Sequence, residues 1–159
     1  MLIDADFCGA KLTYLFSGLG IRLQNAPEEY LAEKTDEKDL IAPTFHPLVD
    51  FIGAGVEKSS APHAFGSPRM KDLIAKLKGS RDIVLFDAPP VFPVDDAVAL
   101  SPSVNLRLFV INAGRTAQKD IQQALAKIES SRQALTGIVL NWVAQIDRGY
   151  DYYKRFETK

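Results

Sequence analysis

The apolar positions of this chain fall into short, nearly unbroken runs. Met1–Ile3, Leu48–Ile52, Ile83–Phe86, Leu106–Ile111 and Gly137–Leu140 are dominated by Val, Ile, Leu and Phe. Continuous rather than alternating hydrophobicity is what parallel strands covered on both faces require. Between the runs the period lengthens to that of a helix. Met70, Leu73, Ile74 and Leu77 are spaced i, i+3, i+4, i+7 behind Ser67-Pro68, an N-cap and a first-turn proline, and the stripe stops near Gly79. Ile121, Ala124, Leu125 and Ile128 give the inward face of a longer helix that Thr116 can cap and that ends before Gly137. Val94 to Leu100 makes a shorter helix closed by Ser101-Pro102. Alternating strands and helices predict an α/β chain: a doubly wound, mostly parallel sheet with helices on both faces.

Two segments interrupt the alternation. Asn25 to Lys38 carries Glu28, Glu29, Glu33, Lys34, Asp36, Glu37 and Lys38 and reads as an exposed helix or loop. Gly53 to Gly66, rich in Gly, Ser, Pro and Ala, reads as a long loop just beyond a strand end, where loops often carry function. There is no internal repeat and no low-complexity tract.

Bulk properties narrow the function classes. At 159 residues with 47% hydrophobic content, one domain with a substantial core is expected. The division read here is an α/β domain over residues 1–146 and a tyrosine-bearing tail over 147–159. Lys+Arg 19 against Asp+Glu 20 gives a net charge of -1, so no global basic field draws the chain to nucleic acid or anionic lipid. The lone Cys8 rules out an internal disulfide and a multi-cysteine zinc site, and suits a reducing compartment. No apolar run approaches the roughly 20 residues that span a bilayer, so direct membrane insertion is not expected and a cytoplasmic setting is. His46 and His63 have no partner at metal-ligand spacing and are assigned no chemistry.

The candidate chemistry lies where strands end. Ile83–Phe86 runs into Asp87-Ala88-Pro89-Pro90, and Met1–Ile3 runs into Asp4-Ala5-Asp6. In open parallel sheets that edge binds ligands, and carboxylates there can hold Mg²⁺ beside phosphates. The phosphate-binding partner, a G-x-x-x-x-G-K-S/T loop, does not occur in these 159 residues. The plain alternative is that Asp4 or Asp87 caps a following turn.

Leu2-Ile3-Asp4-Ala5-Asp6, Asp87-Ala88-Pro89-Pro90-Val91-Phe92-Pro93-Val94-Asp95-Asp96-Ala97, Ser67-Pro68-Arg69-Met70, Asn112-Ala113-Gly114-Arg115-Thr116 and Gly137-Ile138-Val139-Leu140-Asn141 stand in this order along the chain. Together they resemble the cytoplasmic kinase domain of the bacterial tyrosine kinases of polysaccharide export, in the MinD/ParA-like branch of P-loop ATPases. The resemblance implies a P-loop NTPase-like fold shortened at its N-terminus. It implies Asp4 as the catalytic base, Asp6 and Asp87 on Mg²⁺, Asn141 on the adenine of ATP or ADP, and Tyr150, Tyr152 and Tyr153 as autophosphorylation sites in trans. Arg69 and Arg115 are candidate phosphate or subunit contacts, or solvated surface arginines. Cys8 stands where the family's motif has arginine.

The resemblance also implies a homo-oligomer and a transmembrane polysaccharide co-polymerase or activator, which would keep the chain at the inner face of the membrane. Three functions stay open: a tyrosine autokinase domain, if the phosphate loop is supplied upstream; a catalytically inactive kinase-like regulator of polysaccharide polymerisation and export; and, less favoured by the tyrosine tail, a MinD/ParA-like ATPase. Without a loop to grip the triphosphate, the expectation for these residues alone is little ATP hydrolysis or autophosphorylation.

Overall fold

In the computed structural model, which describes residues 1–55, 64–92, 94–130 and 134–143, strands form where the apolar runs lie. They are β1 (Leu2–Asp4), β3 (Asp50–Ile52), β4 (Leu85–Asp87), β5 (Leu108–Asn112) and β6 (Gly137–Asn141); a further strand, β2 (Ala42–Pro43), was not expected. The helices are α1 (Lys11–Gly18), α2 (Pro27–Leu31), α3 (Pro68–Ser80), α4 (Asp96–Leu100) and α5 (Gln118–Ser130). The chain divides into two units, Met1–Asn105 and Leu106–Lys159. The fold is α/β with mostly parallel strands.

In the first unit the sheet order is β2-β3-β1-β4. β1 runs parallel to both β3 and β4, and β2 is antiparallel to β3. The register sets Asp4 opposite Asp87. Phe51, Phe65, Leu40, Ile52, Ile74 and Leu77 are its largest fully buried apolar side chains, and Phe7 stacks on Phe65 with ring centroids 4.9 Å apart. In the second unit β5 and β6 pair in parallel from Leu108 opposite Gly137 to Asn112 opposite Asn141.

Helix α3 forms as its sequence dictates. Ser67 Oγ accepts the Met70 amide at 3.2 Å, Pro68 fills the first turn, and Met70, Leu73, Ile74 and Leu77 are buried. Each such side chain contributes about 1.5–3 kcal/mol through its buried area. Arg81, just past the helix, pairs with Asp50 at 2.7 Å and ties it to the start of β3. Helix α5 begins two residues later than its expected cap. The Asp120 and Ile121 amides turn to the Ala117 carbonyl, while the Thr116 N–H is committed to the Asn112 carbonyl at 2.9 Å.

The charged segment Asn25–Lys38 is more ordered than its polarity suggests. It contains α2 and leads into a 3-10 turn at Glu37–Leu40, with Pro27, Tyr30 and Leu40 buried. Arg69 holds it in place: Nε donates to the Tyr30 carbonyl at 2.6 Å, and the guanidinium lies 4.4 Å from the centre of the Tyr30 ring. Arg69 thus packs α3 against α2.

The expectation of strands covered on both faces holds only in part. Phe51 and Ile52 are fully buried, but Leu85 is 60% exposed and Leu108 63% exposed. β4 is the edge strand of its sheet, and Val84 and Phe86 alone of its run pack against the core.

Because Leu77 is 1% exposed and central to the α3 stripe, Leu77→Ala is expected to lower the unfolding free energy by about 2–5 kcal/mol, through lost transfer energy plus a cavity. Urea titration followed by far-UV circular dichroism measures it.

Candidate functional site

The first cluster is built by two parallel strand ends. Pairing of β1 with β4 puts the Asp4 and Asp87 backbones side by side, and the Ala5 amide extends the ladder to the Asp87 carbonyl at 2.9 Å. Asp4 is completely buried, and its oxygens accept three hydrogen bonds. Asp6 N–H donates to Oδ1 at 3.1 Å, and the Thr13 amide and hydroxyl donate to Oδ2 at 2.8 and 2.7 Å. Thr13 Oγ1 in turn accepts the Ala54 amide at 2.8 Å. Asp4 therefore caps α1 from a strand nine residues upstream. A carboxylate so engaged orients its surroundings, and acting as a base requires Thr13 to release it.

Asp6 is half-buried and folds over the following turn, where Oδ1 accepts the Gly9 amide at 2.8 Å. A Cβ at position 9 would run into the Asp6 carboxylate, so this approach needs glycine. The turn ends at Ala10, whose φ of 46° is left-handed, and enters α1 without a local side-chain cap. Cys8 is exposed on the same turn.

Asp87 is the exposed member of the group, and its carboxyl is held above the ordinary carboxylate value, first by desolvation and then by the negative charges of Asp4 and Asp6. Among the described residues no Lys or Arg pairs with any of the three. Concentrated hard oxygen donors without a counter-cation suit a divalent cation that fills its remaining positions with water and phosphate oxygens, as Mg²⁺ does. Among the described residues no three His, Cys, Asp or Glu side chains are arranged to hold a metal by themselves.

The second unit carries its own polar strand ends. Asn112 and Asn141 lie opposite each other at the C-terminal ends of β5 and β6. Asn112 Oδ1 accepts the Gly114 amide at 3.3 Å, and Asn141 Oδ1 accepts the Trp142 amide at 2.9 Å. Gly114, Arg115 and Trp142 border a cavity of about 440 Å³ there with Asn112. Tyr150, Tyr152, Tyr153 and His63 lie outside the described residues.

The structure thus brings Asp4, Asp6 and Asp87 together and sets Asn141 at a strand end of the other unit. Sequence reasoning missed Thr13, which has no motif of its own and is coupled to Asp4 only through the fold. It also passed over Trp142, the chain's single tryptophan, directly after Asn141. Glu28, read as part of an exposed segment, is pressed against Gly55. Its carboxylate oxygens are buried, and desolvation foremost raises its pKa.

Thr13→Val removes the hydroxyl that links Asp4 to Ala54 and leaves buried groups unpaired. The expected loss is about 1–3 kcal/mol in denaturant unfolding. For Asp87, a folded-state pKa above the unfolded one makes ionisation unfavourable to folding, a cost absent below the ordinary carboxylate value and fully present above the raised one. Asp87→Asn should therefore melt higher than the parent at neutral pH, with the advantage shrinking as pH falls through that interval. Thermal unfolding across a pH series checks it; an advantage independent of pH would contradict it.

No protein-family model matches the chain. Among curated proteins it is 26% identical over 157 residues to the tyrosine-protein kinase Wzc of Salmonella typhi, a match covering 99% of this chain and 21% of that protein. It is 24% identical over 156 residues to the tyrosine-protein kinase CpsD of Streptococcus agalactiae, covering 98% of this chain and 67% of that one. The chain spans about a fifth of the length of the Wzc-type relatives it matches. Among solved structures, the kinase domain of the Escherichia coli tyrosine kinase ETK superposes with a TM-score of 0.78 at 26% identity, over 91% of this chain and 56% of that domain. Motif order, strand-end carboxylates and these relatives agree: the chain is similar in sequence to bacterial tyrosine kinases and has a P-loop NTPase-like fold.

Proposed function

We propose that the chain serves as the carboxylate-bearing part of a tyrosine autokinase domain in exopolysaccharide or capsule biosynthesis. The observation that carries this reading is the Asp4–Asp87 register at adjoining parallel strand ends, with Asp6 beside it and no cation paired to the group among the described residues. Asp6 and Asp87 are the residues that would hold Mg²⁺, and Asn141 would meet the adenine. Mg²⁺-ATP supplies the transferable phosphoryl group and neutralises charge on its oxygens. Asp4 fixes the strand-to-helix turn on which Asp6 sits, and it would take the tyrosine proton once freed of Thr13. The acceptors in this reading are Tyr150, Tyr152 and Tyr153 of a neighbouring copy. Phosphate there adds roughly -1.5 to -2 charge per site, which the carboxylate cluster repels, releasing a docked tail. A second copy and a transmembrane co-polymerase are the proposed partners, at the inner face of the membrane; among the described residues no helix is long and apolar enough to cross it.

The second reading, a kinase-like regulator without catalysis, is favoured by the complete burial of Asp4 and the three hydrogen bonds that engage its carboxylate. Calorimetric titration of Mg²⁺-ADP into the chain separates the two. Saturable heat that Asp87→Ala abolishes is expected for the kinase reading. No heat from the parent chain would leave the regulatory one.

A further inference from the structure

The connection of the β2–β3 hairpin, Thr44–Val49, is a tied turn that holds apolar side chains out into water. The Thr44 hydroxyl donates to the Val49 carbonyl at 2.6 Å and accepts the His46 amide at 3.2 Å, and the Val49 amide closes on the His46 carbonyl at 3.0 Å. The Leu48 amide turns to His46 Nδ1 at 3.2 Å. On this frame Leu48 is 84% exposed and Phe45 73%. Phe45 continues inward: its ring stacks on Phe16 of α1 with centroids 6.3 Å apart, and Phe16 stacks on buried Phe51 at 4.4 Å. Beside Phe16, Lys11, Leu15 and Leu19 follow one another at i, i+4, i+8 along α1 and its cap, all exposed. The Ile21 amide donates to the Phe16 carbonyl at 3.0 Å and brings exposed Arg22 to the same border.

The charge around this patch is one-sided. No Asp or Glu occurs in Lys11–Ala26 or Ile41–Val49, in a chain with 20 acidic residues, and among the described residues neither Lys11 nor Arg22 pairs with a carboxylate. Asp50, the first acid beyond the turn, is bound to Arg81 at 2.7 Å. The acidic stretch begins at the other end of the strand: Glu28 lies against Gly55, just past the C-terminal end of β3, whereas the turn precedes the start of β3. Protruding apolar side chains rimmed by unpaired cations match an anionic lipid surface, whose hydrocarbon takes the apolar tip without a complementary pocket while its headgroups meet the cations. We propose that Phe45 and Leu48 enter the headgroup boundary of an anionic membrane, with Leu15 and Leu19 behind them and Lys11 and Arg22 on the headgroups. The chain's net charge of -1 gives no long-range pull, so this contact is short-ranged. The strand ends bearing Asp4 and Asp87 lie at the opposite edge of the parallel sheet and are left uncovered.

Flotation of the full chain through a sucrose gradient with vesicles of phosphatidylcholine and phosphatidylserine in equal parts tests this, with phosphatidylcholine vesicles as the comparison. The chain is expected to rise with the anionic vesicles and much less with the neutral ones, and added salt should weaken the first association. Phe45→Ser combined with Leu48→Ser should lower the vesicle affinity by about tenfold or more, the scale of two apolar side chains withdrawn from a hydrocarbon boundary. Arg22→Gln should lower it about fivefold, the share of one cation at an anionic surface. Phe45 and Leu48 are exposed, so the paired variant should match the parent in circular dichroism and urea midpoint, and Arg22→Gln gives a second test with the tip untouched. Parent protein that stays at the bottom of the gradient overturns the proposal, as does flotation indifferent to the paired substitution. Self-association without lipid, measured by sedimentation velocity in a chain that does not float and lost in the paired variant, would assign the tip to a second copy of the chain and overturn the proposal equally.

Discussion

The Asp4 carboxylate is the joint on which the first unit depends. It ends β1, receives the first turn of α1 through Thr13, and reaches β3 through the Thr13 hydroxyl and the Ala54 amide. A fully buried charge is tolerated because each oxygen is hydrogen-bonded. The same bonds fix the turn bearing Asp6 and Gly9, so the exposed acidic groups inherit their positions from a residue that water does not reach. Asp87 completes the group from the neighbouring strand, and its reluctance to ionise comes first from desolvation and then from the negative charges of Asp4 and Asp6.

How much of this was legible beforehand depends on whether the cause was local. Helix α3 could be read nearly to the residue, since its cap, proline and apolar stripe are all contained in Ser67–Leu77. Helix α1 could not, because its cap comes from Asp4 and its own N-terminal residue, Ala10, lacks a side chain able to accept a hydrogen bond. The short strand β2, ending on a proline, carries no periodic signal and exists only because β3 is there to pair with. The charged segment around α2, expected as an exposed helix or loop, forms a short helix, but its charge count hides the buried Tyr30 and the Arg69 clamp across 39 residues.

The candidate site shows the same division. Strand-end carboxylates were visible in the sequence as apolar runs that stop at aspartate, and the register then brought them together. Thr13 was invisible because nothing in its neighbourhood marks it. Trp142 was in plain view beside Asn141, but its left-handed backbone, the property that sets it apart from an ordinary surface aromatic, is a conformational fact that residue type does not announce.

Strand β4 has one further consequence. Leu85 donates its amide to Met1, and the Asp87 carbonyl receives Ala5, so the odd-numbered residues spend their main-chain groups on β1. Phe86 and its even-numbered neighbours turn theirs the other way, along the rim of the sheet. No lysine, proline or bulge guards the run Ile83–Phe86, and Ile83 and Leu85 lie open beside it. A rim of this kind is a template, and its main-chain groups accept another extended segment with little regard to that segment's sequence. Within the first unit, β4 is therefore the strand at which a further extended segment would lengthen the sheet.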